Sequence, residues 1–240
     1  MPRRLPPVLV LLALTLSCGV GRPASTPTPA PTATPNFAAW PVVLRDFFFE
    51  PANDWEFAED SDGRFATGTL SVADGQYRFD VQAKEGFVWW SRALNETATT
   101  DFYAAVDGRL VSGSGDTDYG LIFRYHRGNY YYFQVSDVGQ YALYLYNAEE
   151  WQALIPWTAS DAIQAGQVNR VAVAAEGGRF QLYLNGLHLG EAQDETLPAG
   201  AVGVAIQVYN AGERAVFEFD NFEWRAPASA VSRSTPAPAP

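Results

Sequence analysis

Three carboxylates near the C-terminal end of the chain, Glu218, Asp220 and Glu223, are spaced as Glu-x-Asp-x-x-Glu. Residues two apart share a face of a strand, and carboxyl groups about 5 Å apart suit double-displacement cleavage of a glycosidic bond. Glu223 has the opposite parity and joins the other two only if a bulge intervenes. The alternating strand Phe217-x-Phe219-x-x-Phe222, with its polar residues outward, explains the same string more simply. No catalytic residue is assigned, and the three stand as candidates only.

A second set is built by alternation. Arg124, Tyr132, Gln134, Tyr144, Gln207, Glu218 and Asp220 each oppose the apolar residues of their own segments: Tyr119, Leu121, Phe123 and Tyr125 on one run, Tyr131, Phe133 and Val135 on the next. Flat rings beside fixed donors and acceptors are what sugar recognition requires. If these strands share a curved sheet, the seven converge on its concave side as a ligand site. The alternative is a structural network, with Arg124 paired to Glu218 or Asp220 and the tyrosines covering the sheet.

Other chemistry is thinner. No cofactor is expected, with Ca²⁺ the one candidate: Asp60-Ser-Asp62-Gly63 and Asp116-Thr-Asp118 offer oxygen ligands, although neither completes an EF-hand loop and Asp-Gly often marks a turn. His126 and His188 are too far apart in sequence to suggest a metal or a triad. No thiol lies beyond Cys18 and no Gly-x-Ser-x-Gly string occurs, so nucleophilic hydrolysis has no visible carrier. Trp89, Trp90, Trp151 and Trp157 offer stacking surface, but in so aromatic a chain most are expected in core or rim packing.

The elements that must position these residues read as short strands bounded by Gly, Asp and Asn. They are Gln76 to Gln82, Thr100 to Val106, Tyr119 to Tyr125, Tyr130 to Val135, Tyr141 to Tyr146, Arg170 to Ala174, Arg179 to Leu184, Val202 to Val208 and Ala215 to Asp220. The pattern predicts an all-β, antiparallel β-sandwich. Hairpins are expected at Glu176-Gly177-Gly178 and Ser136 to Gly139, and one helical turn near Ser160 to Ile163.

The order of Asp118 to Arg124, Asn129 to Val135, Gly139 to Leu143, Trp151 to Leu154, Gly166 to Val171, Leu182 to Gly186, Gly200 to Val204 and Phe219 to Phe222 resembles the concanavalin A-like lectin/glucanase superfamily. The likeness is nearest to bacterial LamG-like and 3-keto-disaccharide-hydrolase-type jelly rolls and runs from Gln76 to Trp224. It implies a jelly roll, often one that binds Ca²⁺, but one fold hosts lectins, glycosidases and adhesion modules. Glu218, Asp220 and Glu223 resemble the nucleophile, helper and acid/base of laminarinase-type enzymes, which carry that motif mid-chain and not on the last strand.

The ends differ in composition. Arg3 and Arg4 precede an apolar run from Val8 to Leu16, about a dozen residues where a membrane span needs roughly 20, so it reads as an export signal. Leu14-Thr15-Leu16-Ser17-Cys18 resembles the lipobox of bacterial lipoproteins, which implies acylation of Cys18, with Thr15 where that family has Leu. Residues 19–36 read as a Pro/Thr-rich linker, 37–225 as the folded domain and 226–240 as a disordered Pro/Ala/Ser-rich tail. All 27 acidic residues lie within 37–225, and the chain carries a net −11, which argues against nucleic acid and against charge-driven membrane binding.

The resulting expectation is a membrane-anchored, extracytoplasmic module that binds glycan or polysaccharide. A glycoside hydrolase or 3-keto-glycoside-cleaving enzyme of the same fold and an inert adhesion or spacer module are the alternatives. The sugar and the oligomeric state are not legible.

Overall fold

The computed structural model describes residues 37–94 and 97–233, so Cys18 and the signal segment lie outside the described residues. A 3-10 turn, Phe37–Ala39, opens the fold. The strands that follow are β1 (Val42–Asp46), β2 (Ala58–Asp62), β3 (Ala66–Ala73), β4 (Gln76–Ala83), β5 (Phe87–Arg92) and β6 (Thr97–Thr99). Then come β7 (Phe102–Ser112), β8 (Asp118–His126), β9 (Asn129–Ser136), β10 (Gln140–Asn147), β11 (Glu150–Ala159) and β12 (Asn169–Glu176). The last are β13 (Arg179–Leu184), β14 (Leu187–Gln193), β15 (Ala201–Val208), β16 (Arg214–Arg225) and β17 (Val231–Arg233).

They form two antiparallel layers. The large sheet has the order β14-β13-β12-β7-β16-β4-β3-β2 with β1 along β16, and the small sheet the order β11-β10-β9-β8-β15-β5. Every predicted strand is present. Both predicted hairpins are too, closed by Glu176 opposite Arg179 and by Ser136 opposite Gln140. The segment expected as a helical turn is one hydrogen-bonded turn, Ile163 N donating to Ser160 O at 3.3 Å, outside any helix.

Apolar residues of one parity meet between the sheets. Phe102, Phe180, Phe217 and Phe219 of the large sheet pack against Tyr119, Phe123 and Tyr131 of the small one, with ring centroids 4.7–6.5 Å apart. Burial of this aromatic layer is the main stabilising term. Two glycines permit close approach: a Cβ at Gly203 would sit 2.0 Å from Ser91 O, and one at Gly200 would sit 2.3 Å from the carbonyl carbon of Arg124.

The C-terminal boundary moves. The reading that ends the domain at Arg225 is corrected by Ala226 and Ala230, which are buried, and by β17, which pairs with β6. Composition concealed this, because small residues carry no period yet fill a rim well. A chain ending at Arg225 is therefore expected to be less stable than one ending at Arg233 by about 2–4 kcal/mol, from lost methyl burial and ladder bonds. Urea unfolding of the two chains measures the difference.

Candidate functional site

The seven sequence-selected residues do not converge. Tyr132, Gln134, Tyr144 and Gln207 share the outer face of the small sheet, whereas Glu218 and Asp220 lie on β16 in the large sheet. Glu218 accepts from Arg78 Nη1 at 2.7 Å and Arg109 Nε at 2.8 Å. A bulge at Asn221, with φ +51°, does bring Glu223 onto the outer face beside Glu218 and Asp220. Glu223 is there held by Arg45, Arg170 and Arg225; burial would raise its carboxyl, but Arg45 and Arg225 keep it below the usual range. Burial raises Asp220, while Asn221 N donates to it at 2.6 Å. The two glutamates of the catalytic string are thus members of an arginine network, while Asp220 is held by the backbone of Asn221.

Arg124 is the clearest correction. The β8 ladder carries one extra residue between Phe123 and His126, and Arg124 sits in it at φ +49°. One extra residue inverts every later side chain. Arg124 therefore turns inward: its guanidinium lies 4.9 Å over the Phe180 ring and donates to Leu197 O at 3.0 Å, Thr100 O at 2.8 Å and Gly177 O. Tyr125, expected inward, turns outward. Neither Glu218 nor Asp220 pairs with Arg124.

Tyr132 and Gln134 lie beneath the outer face, both buried. Tyr132 Oη donates to Asp118 Oδ1 at 2.7 Å and Tyr209 Oη to Asp118 Oδ2 at 2.6 Å. The Gln134 amide, with its nitrogen turned to the carboxylate, donates to both oxygens at 3.0 Å. Burial pushes the Asp118 carboxyl up to about 7, against the two tyrosine hydrogen bonds that lower it. Asp118 is thereby fully engaged by the protein, Asp62 pairs with Lys84, and Asp116 accepts from Ser114 Oγ. Among the described residues no group of three or more His, Cys, Asp or Glu side chains is arranged to hold a metal.

What the outer face presents instead is aromatic. Ile122, Tyr130, Tyr132 and Ala205 form a small second cluster, and Val88, Trp90, Tyr125 and Tyr146 of the same sheet pack on it. Tyr146 and Trp151 lie 4.8 Å apart, Tyr130 and Tyr146 5.3 Å, and Tyr144 meets the Trp151 ring edge-on at 6.1 Å. Trp90, Tyr130, Tyr146, Trp151, Phe65 and the Gln207 amide line a groove of about 360 Å³. Trp151 is 42 % exposed. Alternation had Tyr130 and Tyr146 outward, on the parity of Tyr132 and Tyr144, but gave no sign that Trp90, Tyr146 and Trp151 would be the accessible rings, with Tyr130 buried beneath them. Trp89 points into the core.

No protein-family model matches the chain, and no curated protein matches it either. Solved structures do. A carbohydrate-binding module, CBM66 from Bacillus subtilis, superposes with a TM-score of 0.50 at 18% identity, covering 72% of this chain and 96% of that one. A galectin-like protein of unknown function from Bacillus subtilis gives 0.53 at 15% identity, over 80% and 97%. The catalytic domain of an endo-1,3-β-glucanase from Thermotoga petrophila gives 0.54 at 9% identity, over 79% and 98%. These likenesses establish the concanavalin A-like jelly roll.

Proposed function

We propose that the outer face of the small sheet binds glycan, and that the protein is a non-catalytic module displayed outside the cytoplasm on an acylated Cys18. The observation that carries the reading is the groove itself, lined by Trp90, Tyr130, Tyr146 and Trp151 together with Gln207. Sugar rings offer apolar C–H faces and equatorial hydroxyls, and aromatic rings beside an amide side chain match both. Partially exposed aromatics with no element of the described chain above them are costly to leave in water without a ligand.

Likeness to a carbohydrate-binding module supports the same reading at the level of fold. The enzyme alternative gains less support, because Glu218 and Glu223 are both neutralised by arginines on the far sheet and face away from the groove.

Trp151→Ala is expected to weaken glycan binding by about 10- to 100-fold, as truncating an anchoring aromatic does, while changing unfolding free energy by less than about 1 kcal/mol for so exposed a ring. A glycan array followed by titration calorimetry reads the first, and urea unfolding the second. Wild-type affinity in the variant would remove the groove from the function.

A further inference from the structure

Beside the aromatic groove lies a basic pocket of about 420 Å³ lined by Arg92, His126, Arg127 and Arg233, with Tyr125 and Ser232 between them. Among the described residues no carboxylate lines it. In a chain of net charge −11 this is unusual. Elsewhere on the surface Arg45, Arg78, Arg109, Arg170, Arg214 and Arg225 all hold carboxylates, and Arg64 lies over the Phe65 ring. Arg92, Arg127 and Arg233 are in no ion pair among the described residues.

Two features show that the pocket is built. Arg92 is laid over the outer-face rings, its guanidinium 4.3 Å from the Tyr125 centroid and 5.6 Å from that of Trp90. Arg127 occupies the first position of the two-residue β8–β9 turn at φ +50°, followed by Gly128 at +87°. Such turns favour Asn, Asp or Gly there, and a long cationic side chain is held at that position against its backbone preference. Arg233 reaches the pocket only because β17 pairs with β6.

The pocket and the groove adjoin. Tyr125 borders the pocket and stacks on Tyr130 at 6.1 Å and against Trp90 at 4.7 Å, while Gly128 lines the groove one residue after Arg127 lines the pocket. A saccharide chain lying on the rings thus extends one of its residues over three guanidinium groups and an imidazole.

The geometry points to an anionic glycan as the ligand: a polysaccharide whose carboxylate or sulfate groups are received by Arg92, His126, Arg127 and Arg233 while neighbouring sugars stack in the groove. This rests on the small-sheet face being the glycan surface. The chain's overall acidity repels a polyanion at a distance, but screening confines that repulsion to about 8 Å at physiological salt, inside which the local cations dominate. Guanidinium forks suit both carboxylate and sulfate oxygens.

The test uses the full chain and four probes: dextran, dextran sulfate, oligogalacturonate and inorganic sulfate. Wild type is expected to bind at least one acidic polymer about tenfold or more tightly than dextran, with an affinity that falls between 0.05 and 0.5 M NaCl. Dextran sulfate and oligogalacturonate separate sulfate from carboxylate recognition. Inorganic sulfate should compete with the preferred polymer. Arg127→Asn combined with Arg233→Gln should remove the acidic preference. Because Asn suits the turn better than Arg, this variant should melt no lower than wild type, so lost binding reports the charges and not the fold. Equal affinity for dextran and the acidic polymers, or an acidic preference untouched by the double variant, overturns the inference and leaves the glycan reading standing. Failure to bind any neutral or acidic glycan overturns both.

Discussion

Stability is expected to fall as pH rises from about 4 to about 7 through the contribution of Asp118. Burial holds this carboxyl up to about 7 in the folded protein against 3.8 for an ordinary aspartate. The folded state therefore keeps a proton that the unfolded chain releases across that window. The contribution is complete below the unfolded value and is lost as pH passes through the folded one. At 1.36 kcal/mol for each unit, the full swing is about 4 kcal/mol. Carboxylates held low, such as Glu223, act in the opposite direction, so the informative quantity is the difference between wild type and Asp118→Asn. The amide preserves an acceptor for Tyr132 and Tyr209 but does not titrate. Wild type should lose about 3 kcal/mol of that relative to the variant between pH 4 and 7 by urea unfolding. A pH-independent difference would mean that the buried carboxyl titrates as it does in the unfolded chain.

Tyr132→Ala is the second large effect, and it runs against the alternation rule that places this tyrosine on a surface. Tyr132 is fully buried between Ile122, Tyr130 and Ala205, and its hydroxyl serves Asp118 at 2.7 Å and Ala205 O at 3.2 Å. Truncation removes a ring from a packed cluster and leaves the carboxylate one donor short. A loss of about 3–5 kcal/mol is expected for a buried aromatic. Tyr132→Phe should cost about 1–3 kcal/mol, the scale of one buried hydrogen bond partner left unsatisfied. Thermal unfolding of the two variants separates ring from hydroxyl. A cost below 1 kcal/mol for the alanine would show that the outer cluster is loosely packed.

The fold was legible because period two is a property of the strand itself. Each segment with alternating Val and aromatic residues became a strand, and the strands overlooked were those lacking such a period, including the exposed edges β11 and β14 and the short β17. The site was legible only in part. Alternation assigns a face but not a sheet, so Glu218 and Asp220 were joined to residues of the other layer. It also assumes an unbroken ladder, and one inserted residue at Arg124 exchanged that arginine for Tyr125 on the outer face. Depth is a third property absent from the string: Tyr132 and Tyr144 are cross-strand neighbours, yet only Tyr144 retains exposure. Arg92, Arg127 and Arg233 come from three distant segments: β15 brings the first two together between β5 and β8, and the pairing of β17 with β6 adds the third.

The chain enters the fold on the face opposite the groove. Phe37 stacks on Tyr103 at 6.0 Å, and Arg225 Nη1 donates to the carbonyls of Ala38 and Trp40 at 3.1 and 3.0 Å. Tyr103 belongs to β7, among Arg170, Glu223 and Tyr183, on the outside of the large sheet. The first described residues are thus fastened to the back of the sandwich, a full double layer from the rings of the groove. A ligand lying on the rings therefore meets no part of the entering segment from Phe37 to Trp40.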